Sequence, residues 1–212
     1  MLRTVLILSL TALVLILSAS CLFGAGWQWP SSMDIGGYSV TGIRGETNAD
    51  GSGSATGMLQ ISGVGGQKIS LTRSARGDIT GVSSLSGRMS GVDLQGNLAL
   101  GGSGLQGAGK VSLGGLGMSA KFSGTNGSLS FVGSAPVRKQ EDTPLAVYTF
   151  DGGINLQGGP GRITITASGH VQRTGKLANQ VTDYNVSGVQ VNCSDGRGTV
   201  NVGGVSVTFR FF

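Results

Sequence analysis

One histidine is available for general acid–base work in this chain, His170, within Ser168-Gly169-His170-Val171. A hydrolytic relay would need a carboxylate on one of its ring nitrogens and a hydroxyl on the other, and a zinc site would need further imidazole or thiolate donors. The surrounding sequence is polar and has the character of an exposed strand or turn, so His170 reads as a surface residue. The ten acidic residues are thinly scattered, and no spacing singles out the facing pair that glycoside hydrolysis requires. Asp50, Asp151 and Asp195 each precede a glycine and read as turn formers. The stretch Asn48-Ala49-Asp50-Gly51-Ser52-Gly53 begins like a calcium loop, with oxygen-bearing side chains at alternate positions and glycine at the sixth. Its twelfth position is Leu59, where a bidentate Glu is required, so it reads as a hairpin tip. Gly63-Val64-Gly65-Gly66 lacks the following helix that would make a phosphate cradle. No catalytic residue, metal ligand or cofactor is assigned, and the chain is expected not to be an enzyme.

The two cysteines raise a different chemistry. Arg3, the apolar run from Val5 to Leu17 and the small residues Ser18, Ala19 and Ser20 follow the order of a secretory signal. Ser18 and Ser20 suit a cut before Cys21, and Gly24 and Gly26 suit a cut before Trp27. Cys21 after Leu17-Ser18-Ala19-Ser20 also resembles a bacterial lipobox and is the candidate lipidation site. Ser18 stands where that motif favours Leu, with Leu17 one place too early. A third reading is an uncleaved anchor, because Val5 to Phe23 approaches the ~20 residues that cross a bilayer, with Trp27 and Trp29 at its interface. Cleavage, lipidation and anchoring stay open, and each implies export and a secreted, periplasmic or cell-envelope location. A cut after Cys21 leaves Cys193 as the lone thiol, without a disulfide framework, and it reads as a small buried hydrophobe.

Loss of the leader removes Arg3 and lowers the net charge from +5 to +4. The remaining cations stand singly, without the runs and interleaved aromatics of a phosphate-tracking groove, so nucleic acid is excluded as a partner.

These residues must be positioned by strands. Apolar residues recur at every second position in Val111/Leu113, Ile163/Ile165, Val189/Val191, Val200/Val202 and Val205/Val207/Phe209/Phe211, with polar residues between them. Period two with one wet face predicts antiparallel strands, and nothing past the leader carries a helical stripe. The pattern Gly-x-apolar-x-apolar occurs at Gly57, Gly96, Gly109, Gly127, Gly161 and Gly198, and reads as a turn feeding a strand at each. Irregular spacing between copies favours a meander over a solenoid of constant rung. Forty glycines leave room for strong curvature, while 47–56 and 101–109 read as mobile loops or hairpin tips. The fold expected is all-β: an antiparallel meander forming a curved sheet, sandwich or small barrel after an N-terminal signal or anchor helix. The domain scheme is a signal peptide over 1–20 or to 26, a linker over 27–34 and a glycine-rich β domain over 35–212. The charged, proline-bracketed segment 136–144 reads as an exposed loop, or as a linker between two smaller units. The terminal Phe resembles the closing strand of an outer-membrane barrel, but Phe212 falls out of phase with Phe211, and 3 Tyr and 2 Trp are few for two aromatic girdles.

Three functions fit these features. The first is an exported, non-enzymatic β protein of the cell surface, periplasm or envelope with a structural, adhesive or assembly role. It would have a membrane tether through its N-terminus, self-associate through its sheet edges, or both. The second is a carrier for an apolar ligand such as a lipid, which needs a concave face lined by residues like Leu98, Leu100, Val111, Leu113 and Phe122. The third is a hydrolase built on His170, which needs Asp and a hydroxyl beside the ring.

Overall fold

The computed structural model describes residues 26–212, so Cys21 and the segment expected to be a signal or anchor lie outside the described residues. Fourteen strands follow one another: β1 (Ser32–Ile35), β2 (Tyr38–Thr47), β3 (Gly53–Ile61), β4 (Gly65–Arg73), β5 (Ile79–Met89), β6 (Val92–Gly101), β7 (Gly104–Leu113), β8 (Leu116–Thr125), β9 (Ser128–Asp142), β10 (Ala146–Gly159), β11 (Arg162–Gly175), β12 (Val181–Gln190), β13 (Arg197–Val202) and β14 (Val205–Arg210). The first twelve form one antiparallel sheet in chain order, and the last two form a separate hairpin. The described residues therefore form an all-β meander, curled into a half-barrel.

Register is pinned by two-residue turns. Asn126-Gly127 joins β8 to β9 with φ of 52° and 74°, the doubly positive backbone of a type I′ turn, whose twist matches that of the flanking strands. Such a turn fixes which side chains face inward. From β5 to β11 the inward phase carries Leu85, Leu98, Val111, Phe122, Phe131, Phe150 and Ile165 into one apolar core. The outward phase is largely Ser, Thr, Asn, Gln and Lys, the division of an antiparallel sheet wet on one side.

The sheet closes over this core by meeting itself end to end. Turns β1–β2, β3–β4 and β5–β6 lie at one end of the strands; turns β6–β7, β8–β9 and β10–β11 lie at the other. The amide of Ser62 donates to the Gly127 carbonyl at 2.9 Å beside a parallel bridge from Ser62 to Ser128. Ser90 Oγ donates to the Gly159 carbonyl at 3.3 Å and accepts from the Gly161 amide at 3.1 Å. A methyl group built on Gly36 would lie 2.2 Å from the Gly101 carbonyl oxygen, so those turns leave no room for a side chain. Tyr38, fully buried at the start of β2, donates its hydroxyl to the Ser128 carbonyl across the same closure.

Burial raises the Tyr38 pKa above the ordinary tyrosine value. The folded state then keeps a proton that the unfolded chain releases. The resulting stability is present below about pH 10 and is lost as pH rises through the folded pKa. Tyr38→Phe removes both the hydrogen bond and this titration. Its unfolding free energy at neutral pH should fall by about 1 kcal/mol, and the alkaline decline above pH 10 should become shallower, both measured by urea unfolding.

The hairpin β13–β14 covers the core beside the longest strands. Phe209 and Phe211 pack against Phe150, with ring centroids 5.9 and 5.1 Å away. The Val191 amide bonds the Ile165 carbonyl at 3.0 Å, and the Phe211 amide bonds that of Gly196 at 2.8 Å. The period-two phase through Val207, Phe209 and Phe211 is thus an inward phase, but β14 pairs with β13 alone and closes no barrel.

Four sequence expectations change. Segment 136–144 is not an exposed loop: Pro136 to Asp142 continue β9, and the chain turns only at 143–145. Pro136 stands opposite Gly153, where an added methyl group would make only an ordinary contact at 3.7 Å; Arg138, paired with Asp151 at 3.9 Å, and Asp142 lie on the wet face, while Lys139 and Glu141 are half-buried in the phase of Val137. Within the proposed linker 27–34, Ser32 to Asp34 belong to β1, and Trp27 and Trp29 stack edge to face at 4.7 Å. Of the six glycine motifs, only Gly127 and Gly161 are turn residues. Gly57, Gly96, Gly109 and Gly198 sit inside strands, where a side chain would strike the opposing layer or the paired strand. Likewise the loops predicted at 47–56 and 101–109 shrink to tips at 48–52 and 102–103.

Candidate functional site

His170 lies in β11 between Asp151 of β10 and Asn185 of β12, on the outward face and exposed. Among the described residues it makes no side-chain hydrogen bond. Asp151 is engaged with Arg138, both side chains largely exposed, and sits within β10 rather than in the turn expected for it. The carboxylate required for a relay is therefore in register with the ring, but on an open surface in water. No group of three or more His, Cys, Asp or Glu side chains converges among the described residues.

The other sequence candidates are turns. Asp50 caps the β2–β3 tip, where the Ser52 hydroxyl and amide donate to its carboxylate at 2.6 and 2.9 Å. Those donors, the hydroxyl first, lower its pKa below the ordinary aspartate value. Asp195 accepts from the Arg197 amide at 3.1 Å in the turn before β13. Cys193 stands in that turn exposed, contrary to the buried site expected, because the loop from 192 to 196 bulges outward between Val191 and the hairpin. Cys21 lies outside the described residues. Trp29 donates its indole N–H to the Glu46 carbonyl at 3.1 Å, and the Arg73 guanidinium lies 4.4 Å over the Trp27 ring. This aromatic corner caps the tip of β2.

The residues expected to line a carrier cavity are core. Leu98, Leu100, Val111 and Phe122 are buried, and Leu113 is packed against them. The interior face is thereby occupied by the protein's own side chains.

A concavity lies instead on the outward face: a trough of about 940 Å³ across β3 to β7, reaching Gly42 of β2. Two irregularities bend the sheet there. A bulge between Thr41 and Arg44, with Gly42 at φ 62°, interrupts the β2–β3 ladder. The β4–β5 ladder ends at Ile69 and Ser83, and beyond that point side chains replace it. Ser83, the one buried polar residue among those described, donates Oγ to the Lys68 carbonyl at 2.7 Å, and the Ser86 amide donates to Gln67 Oε1 at 3.2 Å. The strands part over this seam, and Met58, Lys68, Val82, Ser84, Asn97 and Ala99 line the hollow that results. Val82 is 63% exposed and Met58 36%. Met58, Asn97 and Ala99 occupy the unspecified positions of the Gly-x-apolar-x-apolar pattern, and Lys68, Val82 and Ser84 belong to none of the runs the sequence singles out, so sequence reasoning passed over them. The available signal was the run of small residues broken by Met58 and Val82 at outward positions.

Compared with known proteins, the chain matches no family model, no curated protein and no solved structure.

Proposed function

We propose that this is an exported, non-enzymatic β protein of the cell surface, periplasm or envelope, with an adhesive, structural or assembly role performed by the outward face of its sheet. The observation that carries this reading is the division of labour between the two faces. The inward face is consumed by the core, while the outward face is extended, uncharged over much of its area and hollowed over the β4–β5 seam. The leader-like N-terminus supplies export, and Cys21 or the apolar run before it would supply a tether. The four-residue strand β1 and strand β12 offer the edges for assembly into larger structures.

The test is complementation of a strain lacking the gene, scored by surface attachment and envelope permeability. The wild-type chain and His170→Ala should restore the phenotype equally, whereas Ala99→Trp, which fills the outward hollow, should not. Mass spectrometry of the membrane fraction reads the N-terminus in the same strains. A mature chain starting at Trp27 without lipid removes the tether from the proposal. Turnover of any substrate that disappears in His170→Ala overturns the non-enzymatic reading.

A further inference from the structure

The trough over the β4–β5 seam has the composition of a binding site for an amphiphile. Its floor is apolar at Met58, Val82 and Ala99, its walls carry the hydroxyl of Ser84 and the amide of Asn97, and it contains one charge, Lys68. No aromatic ring lines it, so it lacks the stacking platform that sugars and bases use. Five adjacent strands at a spacing of about 4.8 Å span roughly 20 Å, enough for one extended chain laid across them. Its volume lies within the range of pockets that enclose small molecules.

Charge fixes the polarity of the ligand. Arg44 stands on β2 opposite Thr56, at one end of the trough, and Lys121 stands on β8 opposite Ala108, just past the other. The described ion pairs engage Arg88, Arg138, Lys176 and Arg197, which leaves Arg44, Lys68 and Lys121 without a carboxylate partner among the described residues. The acids on this part of the face, Glu46 and Asp93, stand near strand ends, and Asp93 is held by Arg88 at 3.6 Å. A cation among apolar and small polar side chains, with flanking cations and no acid between them, complements an acidic head on an aliphatic chain. We infer that the trough binds a single-chain anionic amphiphile, its acyl chain across Met58, Val82 and Ala99 and its acidic head at Lys68. This inference rests on the outward face being the working surface.

The experiment uses the protein as exported from cells, titrated with hexadecanoate and with uncharged hexadecanol, alongside three variants whose folding is checked by circular dichroism. Hexadecanoate should bind saturably. Lys68→Gln should weaken it by about tenfold or more, the expected loss for a charged hydrogen bond, while changing hexadecanol affinity less than about twofold. Ala99→Trp should abolish binding of both. Val132→Thr, an uncharged change at an exposed apolar site of the same face outside the trough, should change neither. Absence of saturable binding, or hexadecanoate affinity unchanged by Ala99→Trp, overturns the ligand assignment. If binding fails while Ala99→Trp still loses the cellular phenotype, the working face stands and only the ligand class falls. Retention of the phenotype in that variant removes the working face itself.

Discussion

Gly152→Val should destabilise the domain by about 3 kcal/mol or more, while Gly153→Ala, one residue later in the same strand, should leave stability unchanged or raise it by up to about 1 kcal/mol. Gly152 faces inward opposite Gly169, and a methyl group at Gly152 would meet the Ser168 carbonyl oxygen at 2.3 Å and the Gly169 Cα at 2.7 Å. Those are backbone atoms of the paired strand, so the ladder itself must move and no rotamer relieves the clash. Valine adds two more carbons to that collision. Gly153 points outward, where the nearest neighbour of an added methyl is the Ala135 carbonyl at 3.7 Å, an ordinary contact. Urea unfolding of the two variants checks the contrast. Equal midpoints would show that the inward glycines are not needed for close approach of the strands.

The second large effect belongs to the terminal hairpin. Phe211→Ala should cost about 3–5 kcal/mol, the range for truncating a buried aromatic ring, against a total stability of about 5–15 kcal/mol. Phe211 is fully buried, meets Phe150 nearly perpendicular at 5.1 Å, and also abuts Phe209 at 6.2 Å. Calorimetry should record a fall in Tm of about 10 °C for a domain of this size. The neighbouring Arg210→Ala, an exposed outward residue, should shift Tm by no more than about 2 °C. If both variants melt alike, the hairpin contributes nothing to the core.

Strands were legible where apolar residues alternate, as in Ile163/Ile165 and Val205 to Phe211, because a period of two is itself the signature of a half-buried sheet. Boundaries were less legible. The charged residues of 136–144 suggested a loop, yet a strand accepts charge on its wet face, and the exposed Arg138 stands beside Val137, a residue buried by the core. Gly96 and Gly109 looked like turn residues because glycine serves turns and close packing equally. Only pairing shows that these two stand opposite each other within strands, and that a side chain on Gly96 would strike the Phe122 ring. Asn126-Gly127, between alternating runs, was the available hairpin signal that motif reading overlooked. The trough was not legible in any single segment, since it depends on where the β4–β5 ladder stops, a property of two strands and the side chains bridging them.

The end-to-end closure of the sheet has a kinetic consequence. Each meander hairpin forms between neighbours in sequence, so most of the ladder is assembled from local events. The seal from Tyr38 to Ser128 spans 90 positions, and that from Ser90 to Gly161 spans 71. Contacts so distant in sequence are slow to form, because a long loop must be ordered before they contribute anything. A chain emerging in order from its N-terminus would therefore display a ribbon of hairpins with its apolar side open until residues 127 and 128, and then 161, arrive. Closure then proceeds in stages, at Ser62 and Tyr38 before Ser90, and until the last of them the sheet depends on whatever shields that side.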